Sequence, residues 1–444
     1  MGLVEQIRGK LVTAERAARD AVRSGDWVDY GFGAGFPELM DRALAARRDE
    51  LADVKIRGGL VIRPRIEAVE CDPENRAFTY HSWHIGNHER MLQARGLCRF
   101  TPSIFRYIPY LYRNHIRTDV AFVPVSVPDG KGYMGLGITN YAWRAIFENA
   151  RTVVFEVNEH LPTLKGVDGS HRVHCSEADY LVEGAHEPLP LRTYGAPSPE
   201  EQQIAQHVVG CIPDGATLSL GVGGVPFTVA KMIADSDLKD IGCHTGTISD
   251  ALMHIGKSGK LTNARKGLDT GRSAWNLAMG SQEFYDWLQE NPELFRPDCI
   301  DYIHDPARIG SLGKVVSING GVQVDLLGQE NAEMSGGRQL SGTGGQLDFL
   351  EGAFRSEGGK GFICLASTHR KKDGTRISNI VPGIAAGSTV SAARAQVQCV
   401  ATEYGVADLS GKTVQERAEA LIAIAHPDFQ AGLERAASEG GLLR

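Results

Sequence analysis

One pattern occurs twice in the 444-residue chain and constrains the fold more than any other feature. The stretch Gly25-Asp-Trp-Val-Asp-Tyr-Gly-Phe-Gly-Ala-Gly-Phe-Pro37 can be laid over Asp214-Gly-Ala-Thr-Leu-Ser-Leu-Gly-Val-Gly-Gly-Val-Pro226. Each reads as a strand, a Gly-x-Gly turn and a proline-led helix start. Downstream, Leu51-Ala-Asp-Val-Lys55 is matched by Leu238-Lys-Asp-Ile-Gly242. Further strands are predicted over 54–62, 119–127 and 152–157 in the first half, and over 314–318 and 361–365 in the second. A helix is predicted over 37–48, with Leu39, Met40, Leu44 and Ala45 on one face. Continuous β-branched runs separated by helices point to a parallel sheet covered on both faces. The expected fold class is α/β, with two related open α/β domains and mainly parallel sheets. Four prolines between residues 187 and 200 (Pro188, Pro190, Pro197, Pro199) mark the linker, giving domains at 1–190 and 191–444.

Composition narrows the function. With 42% hydrophobic and 23% charged residues, the chain is ordinary globular material. A net charge of −7 argues against a nucleic-acid partner, since such chains are usually basic. No stretch approaches the roughly 18 apolar residues of a membrane span. The N-terminus reads as an amphipathic helix without the apolar core of a signal peptide. The eight cysteines include no C-x-x-C pair, so reduced thiols in a cytoplasmic protein are expected.

Two glycine-rich loops stand out. Gly221, Val222, Gly223, Gly224 and Val225 lead into the helix start at Pro226. Gly342, Thr343, Gly344 and Gly345 lead into Gln346-Leu-Asp-Phe-Leu-Glu-Gly-Ala-Phe354, which has helical character. A glycine loop feeding a helix N-terminus offers backbone N–H groups to an anion. Neither loop is followed by the Gly-Lys-Ser/Thr of a Walker motif.

Five strings carry a family resemblance: Glu156-Val-Asn-Glu159, Asn331-Ala-Glu333, Ser341-Gly-Thr-Gly-Gly-Gln-Leu-Asp-Phe349, Thr402-Glu-Tyr-Gly-Val-Ala-Asp-Leu409 and Ala425-His-Pro-Asp-Phe429. In this order they resemble the acetyl-CoA hydrolase/CoA-transferase family, the group with butyrate and 4-hydroxybutyrate CoA-transferases. The resemblance runs over essentially the whole chain. It implies domains of CoA-transferase type and coenzyme A as co-substrate, bound in the C-terminal half by the loops at 221–225 and 342–345. It also implies an acyl-CoA and a carboxylate acceptor as partners, and a homodimer.

The resemblance also implies where the nucleophile should be. Transferases of this family use a glutamate in a His-Thr/Ser-Glu-Met string, whose carboxylate becomes a glutamyl-CoA thioester. The corresponding string here is Gly242-Cys-His-Thr-Gly-Thr-Ile-Ser-Asp250, with Gly246 at the glutamate position. A hydrogen cannot attack a thioester, so the covalent route is not expected. Ser219 is a second departure, standing where related transferases carry a glutamine. His244 is the family's histidine of the same loop and is expected to orient it. Cys243 is a weaker candidate nucleophile. Glu156, Glu159 and Glu403 read as structural carboxylates, with Glu156 and Glu403 as substitute nucleophiles.

The stretch His81-Ser-Trp-His-Ile-Gly-Asn-His-Glu-Arg90 resembles a family segment near the substrate pocket. His84 is expected to serve there as acid, base or carboxylate partner. His84 and His88 have the four-residue spacing of a zinc pair on a helix, but no third ligand is apparent and no metal is expected. The expected activity is acyl-CoA hydrolysis, or direct CoA transfer to a carboxylate, without a glutamyl intermediate. The alternative is a CoA-binding protein without turnover.

Overall fold

The computed structural model describes residues 3–63 and 65–443. Met1 and Gly2, at the start of the expected N-terminal helix, lie outside the described residues. The chain packs as two units. The first holds residues up to Arg192 together with Trp275–Ile303, and the second holds Thr193–Ala274 and His304–Arg444. Residues 184–198 contain no helix or strand until Ser198 caps the helix Pro199–Val209.

The first unit is built on an eight-stranded sheet. Its order is Leu11–Val12, Tyr180–Glu183, Thr152–Val157, Val120–Val125, Trp27–Asp29, Val54–Gly58, Phe78–Ser82, Cys98–Phe100. Every neighbouring pair is parallel. The pleat explains the uninterrupted apolar runs. Along Val120–Val125, Val120 and Phe122 enter one core cluster, while Ala121, Val123 and Val125 enter the other. A sheet covered on both faces needs apolar residues at consecutive positions.

The second unit has a six-stranded sheet, in the order Gly405–Asp408, Cys399–Thr402, Lys360–Cys364, Val315–Gly320, Thr217–Leu220, Gly242–Cys243. The pairs are parallel except for the edge hairpin of Cys399–Thr402 with Gly405–Asp408. Taken from the matching edge, Thr217–Leu220 and Gly242–Cys243 occupy the same places in their sheet as Trp27–Asp29 and Val54–Gly58 in theirs. These are the strands that carry the repeat read in the sequence. The fold is α/β with a large, mainly parallel sheet.

Several expected bounds differ. The strand predicted over 54–62 stops at Gly58, because Leu60 takes a left-handed φ of 50° that breaks a strand's pleat. The helix predicted over 37–48 is Glu38–Ala45. Residues 275–303, expected with the C-terminal domain, pack in the first unit, because Leu277, Met279 and Ile300 complete one of its two core clusters. Among the described residues no helix is long and apolar enough to cross a membrane.

Candidate active site

In open parallel sheets, ligands bind beyond the carboxyl ends of the strands. Four of the five candidate catalytic positions lie in the second unit, each within or just past the carboxyl end of a strand. Ser219 lies in Thr217–Leu220, which runs on into Gly221. His244 and Gly246 follow Gly242–Cys243, and Glu403 follows Cys399–Thr402. His84 belongs to the first unit and follows Phe78–Ser82.

The segment around Gly246 is fixed by its neighbours. His244 N–H donates to Leu218 O at 3.0 Å, and Thr245 N–H donates to Ala274 O at 2.9 Å. The buried Thr245 hydroxyl lies 3.2 Å from Leu220 O and 3.3 Å from Thr247 O, and Ser219 Oγ donates to it at 3.4 Å. Gly246 is a bend between Thr245 and the short strand Thr247–Ile248, and it is only half-buried. Ser249 then caps the helix Asp250–Lys257 through Ala251 N–H. His244 is buried, with its ring 6.3 Å from that of Phe349.

The other candidate nucleophiles are placed differently. The Cys243 side chain is fully buried, and burial pushes its thiol up to about 12, far from thiolate character at neutral pH. Both oxygens of Glu403 accept from Ser367, one from its N–H at 2.8 Å and one from its hydroxyl at 2.5 Å. In the first unit, Glu156 accepts the N–H groups of Leu39 and Met40, at 3.1 and 2.8 Å, in the first turn of Glu38–Ala45. Burial nevertheless raises its carboxyl to about 7. Glu159 is exposed.

His84 packs its ring edge-on to Phe32 and Phe105, with centroids 6.3 and 6.4 Å away. Its Nδ1 is buried with no hydrogen-bond partner among the described residues, and burial lowers the ring pKa to about 4. The imidazole is therefore neutral at physiological pH, able to donate from one nitrogen and accept at the other. His84 precedes the helix Asn87–Ala94 that carries His88, so the two are not on one helical face. His88 Nε2 instead lies 3.2 Å from Glu70. Among the described residues, no three His, Cys, Asp or Glu side chains are grouped to hold a metal.

Several glycines of the two loops sit where a side chain would meet the protein's own atoms or a strained backbone. A Cβ on Gly221 would stand 2.8 Å from Ile318 O, and one on Gly224 would stand 1.9 Å from Glu201 Oε1. Gly223 and Gly344 have φ of 150° and 56°, where side chains are strained. A Cβ on Gly345 would stand 2.2 Å from the His304 ring, which sits 3.1 Å from the buried Asp348 carboxylate. The helices Gly224–Asp235 and Gln346–Arg355 begin at these loops, where a helix leaves first-turn N–H groups unused, although Pro226 has none and Gln346 and Asp348 already donate to Thr343 O and Gly345 O.

Two buried charged residues escaped the sequence reading. Lys266 is buried, and its Nζ donates to Cys243 O at 2.7 Å and Arg272 O at 2.6 Å, so it anchors the end of the strand Gly242–Cys243, just before His244. Nothing in the sequence around it marks this lysine as an interior one. Glu330 is the other, and its setting is taken up below.

Comparison with known proteins shows the family. Residues 4–191 match the acetyl-CoA hydrolase/transferase N-terminal domain, and residues 280–437 match the C-terminal domain. The chain belongs to the acetyl-CoA hydrolase/transferase family. It is 42% identical over 443 residues to a probable butyrate:acetyl-CoA coenzyme A-transferase of Syntrophomonas wolfei, covering all of this chain and 98% of that one. It is 42% identical over 446 residues to a butyryl-CoA:acetate CoA-transferase of Anaerostipes caccae, covering 100% and 99%. Among solved structures, RipA from Yersinia pestis superposes over the full length of both chains with a TM-score of 0.90 at 33% identity. The family's CoA-transferases and acetyl-CoA hydrolases act on CoA thioesters, and the α/β fold expected from the repeat is theirs.

Proposed function

We propose that this family member processes an acyl-CoA without storing it as a glutamyl-CoA intermediate. The single observation that carries the reading is Gly246, a residue without a side chain where the resemblance places the nucleophilic glutamate. Two features of the surroundings support it: the Cys243 thiol is buried and protonated, and both oxygens of Glu403 are occupied by Ser367.

Two reactions fit a site with an open position there. In hydrolysis, water attacks the thioester carbonyl, the C–S bond breaks, and the acid and CoA thiol leave with the water's protons shared between them. In direct transfer, the acceptor carboxylate attacks the same carbonyl and expels CoA thiolate, forming a mixed anhydride. The thiolate then attacks the anhydride's other carbonyl, giving the new thioester and the free carboxylate. The loops at 221–225 and 342–345 bind the CoA portion, and within the same unit Ser219 and His244 are the polar partners of the reacting groups. Butyrate and acetate, named for two relatives, are the first carboxylates to try.

Initial rates test this reading. Acyl-CoA consumption is measured with and without an acceptor carboxylate, at varied concentrations of both. Sequential kinetics or acceptor-independent hydrolysis is expected. Ping-pong kinetics would contradict the reading, because they require a stored intermediate. CoA binding by calorimetry without any turnover would favour the alternative of a catalytically silent CoA-binding protein.

A further inference from the structure

Glu330 takes no part in the chemistry above, yet it is held with unusual completeness. Its backbone is fixed on two sides. Val324 on the antiparallel strand Gln323–Asp325 is its register partner, its N–H donates to Ala392 O, and its carbonyl accepts from Ser391 and Ala392. The side chain is fully buried. Oε2 accepts from Gln346 Nε2 at 3.0 Å, whereas Oε1 is buried with no hydrogen-bond partner among the described residues. Oε1 faces Gly321, just past the carboxyl end of Val315–Gly320, where an added Cβ would come within 3.3 Å of it.

A buried carboxylate with one unpartnered oxygen is costly when charged and far less so when neutral. Burial, reinforced by the neighbouring Glu333 carboxylate, raises the Glu330 carboxyl to about 8. Among the described residues the Glu330 carboxyl is bonded to the neutral Gln346 amide and to no cation, and Arg355, at the far end of Gln346–Arg355, pairs with Glu351. Asp325 on the paired strand is bonded to Leu327 and Gln329, Asp348 on Gln346–Arg355 sits against His304, and the Cys364 thiol is pushed up to about 12.

Glu333 grips the same loop from its other end. Its carboxylate accepts from Thr343 Oγ1 at 3.1 Å and Ser391 Oγ at 2.8 Å, and its carbonyl accepts from Leu340 and Ser341 N–H. The loop at 340–346 is thus held by two glutamates three residues apart, Glu333 through its carbonyl at the loop's start and its carboxylate at Thr343, and Glu330 at Gln346.

We propose that Glu330 is a positioning residue for the glycine loop 342–345: through Oε2 it holds Gln346, fixes the start of Gln346–Arg355, and so keeps the loop in the shape that receives the CoA thioester. The last clause rests on the reading of this loop given under Proposed function; the hold on the loop does not. Ionisation of Glu330 strengthens the Gln346 hydrogen bond but leaves a buried charge with one unpartnered oxygen beside Glu333; burial and repulsion outweigh the bond, and the loop loosens.

Hydrogen exchange of the full chain tests the hold directly. Peptides covering 338–350 are followed at pH 7 and pH 9, corrected for intrinsic rates, in wild type, Glu330→Gln and Glu330→Leu. The glutamine keeps an uncharged acceptor for Gln346. Wild-type protection should fall about tenfold or more between the two pH values, Glu330→Gln should stay protected at both, and Glu330→Leu should be poorly protected at both. Equal pH dependence in wild type and Glu330→Gln would overturn the proposal, as would a CoA adduct on Glu330, which would make it a nucleophile. Calorimetry with free CoA separates the two readings. Affinity should weaken above pH 8 in wild type but not in Glu330→Gln. Exchange behaving as expected while CoA affinity is the same in both proteins would uphold the hold on the loop and overturn its assignment to CoA.

Discussion

Ser219 and Thr245 meet hydroxyl to hydroxyl at 3.4 Å, joining the end of one parallel strand to the turn that carries Gly246. The Thr245 hydroxyl also reaches Leu220 O and Thr247 O, so a single buried side chain defines both sides of the turn. Thr245→Val keeps the shape and removes the donor. It should destabilise the protein by about 1–3 kcal/mol, the cost of leaving buried carbonyls short of a partner. Thr245→Ser should be far milder. The shift in urea midpoint checks this; equal midpoints for wild type and Thr245→Val would show that the hydroxyl does not hold the turn.

Gly344 is buried at a φ of 56°, a region that β-branched residues avoid. Gly344→Val should distort the loop at 342–345 and weaken CoA binding by more than tenfold, about 1.4 kcal/mol or more. Calorimetry on a variant with wild-type circular dichroism checks this. Unchanged affinity would remove the loop from the CoA site.

Glu156 gives a pH dependence with a defined sign. Its carboxyl is raised from 4.5 to about 7 in the folded protein, chiefly by burial. Between these values the folded state keeps a proton that the unfolded chain has released. This contribution to stability is therefore complete below about 4.5 and is lost as pH rises through 7. Asp41, also raised to about 7, acts in the same direction, so the informative quantity is the difference between wild type and Glu156→Gln. That difference, from urea midpoints, should move against the wild type from pH 5 to pH 8. A constant difference would contradict the raised value.

The repeat made the fold legible. Trp27–Asp29 and Thr217–Leu220 lie where the two copies of the motif put them, and Thr152–Val157 has its predicted bounds. Chain crossings were not legible. Residues 275–303 carry no composition change to announce that Leu277, Met279 and Ile300 complete the first unit's core. In the glycine loops, Gly223 and Gly344 could be singled out because their positive φ favours glycine. Lys266 and Glu330 could not, since a charged residue becomes interior only through partners distant in sequence: Cys243 and Arg272 for the lysine, Gln346 for the glutamate. The glutamate also sits in a polar stretch, 330–345, that has little periodicity and reads as loop; it folds into short strands.

The account turns on Gly246, and intact-mass spectrometry after incubation with acyl-CoA, with and without borohydride, tests it most directly. Unmodified protein is predicted, with no enzyme–CoA thioester and no reduced carboxylate. Gly246→Glu should gain an adduct yet transfer slowly, since on the family resemblance Ser219 replaces a glutamine near the reacting centre, a loss of about 2.7–4 kcal/mol when an oxyanion donor is missing. A CoA adduct mapped to a carboxylate of the unmodified protein, with Glu403 and Glu156 examined first, would contradict the account.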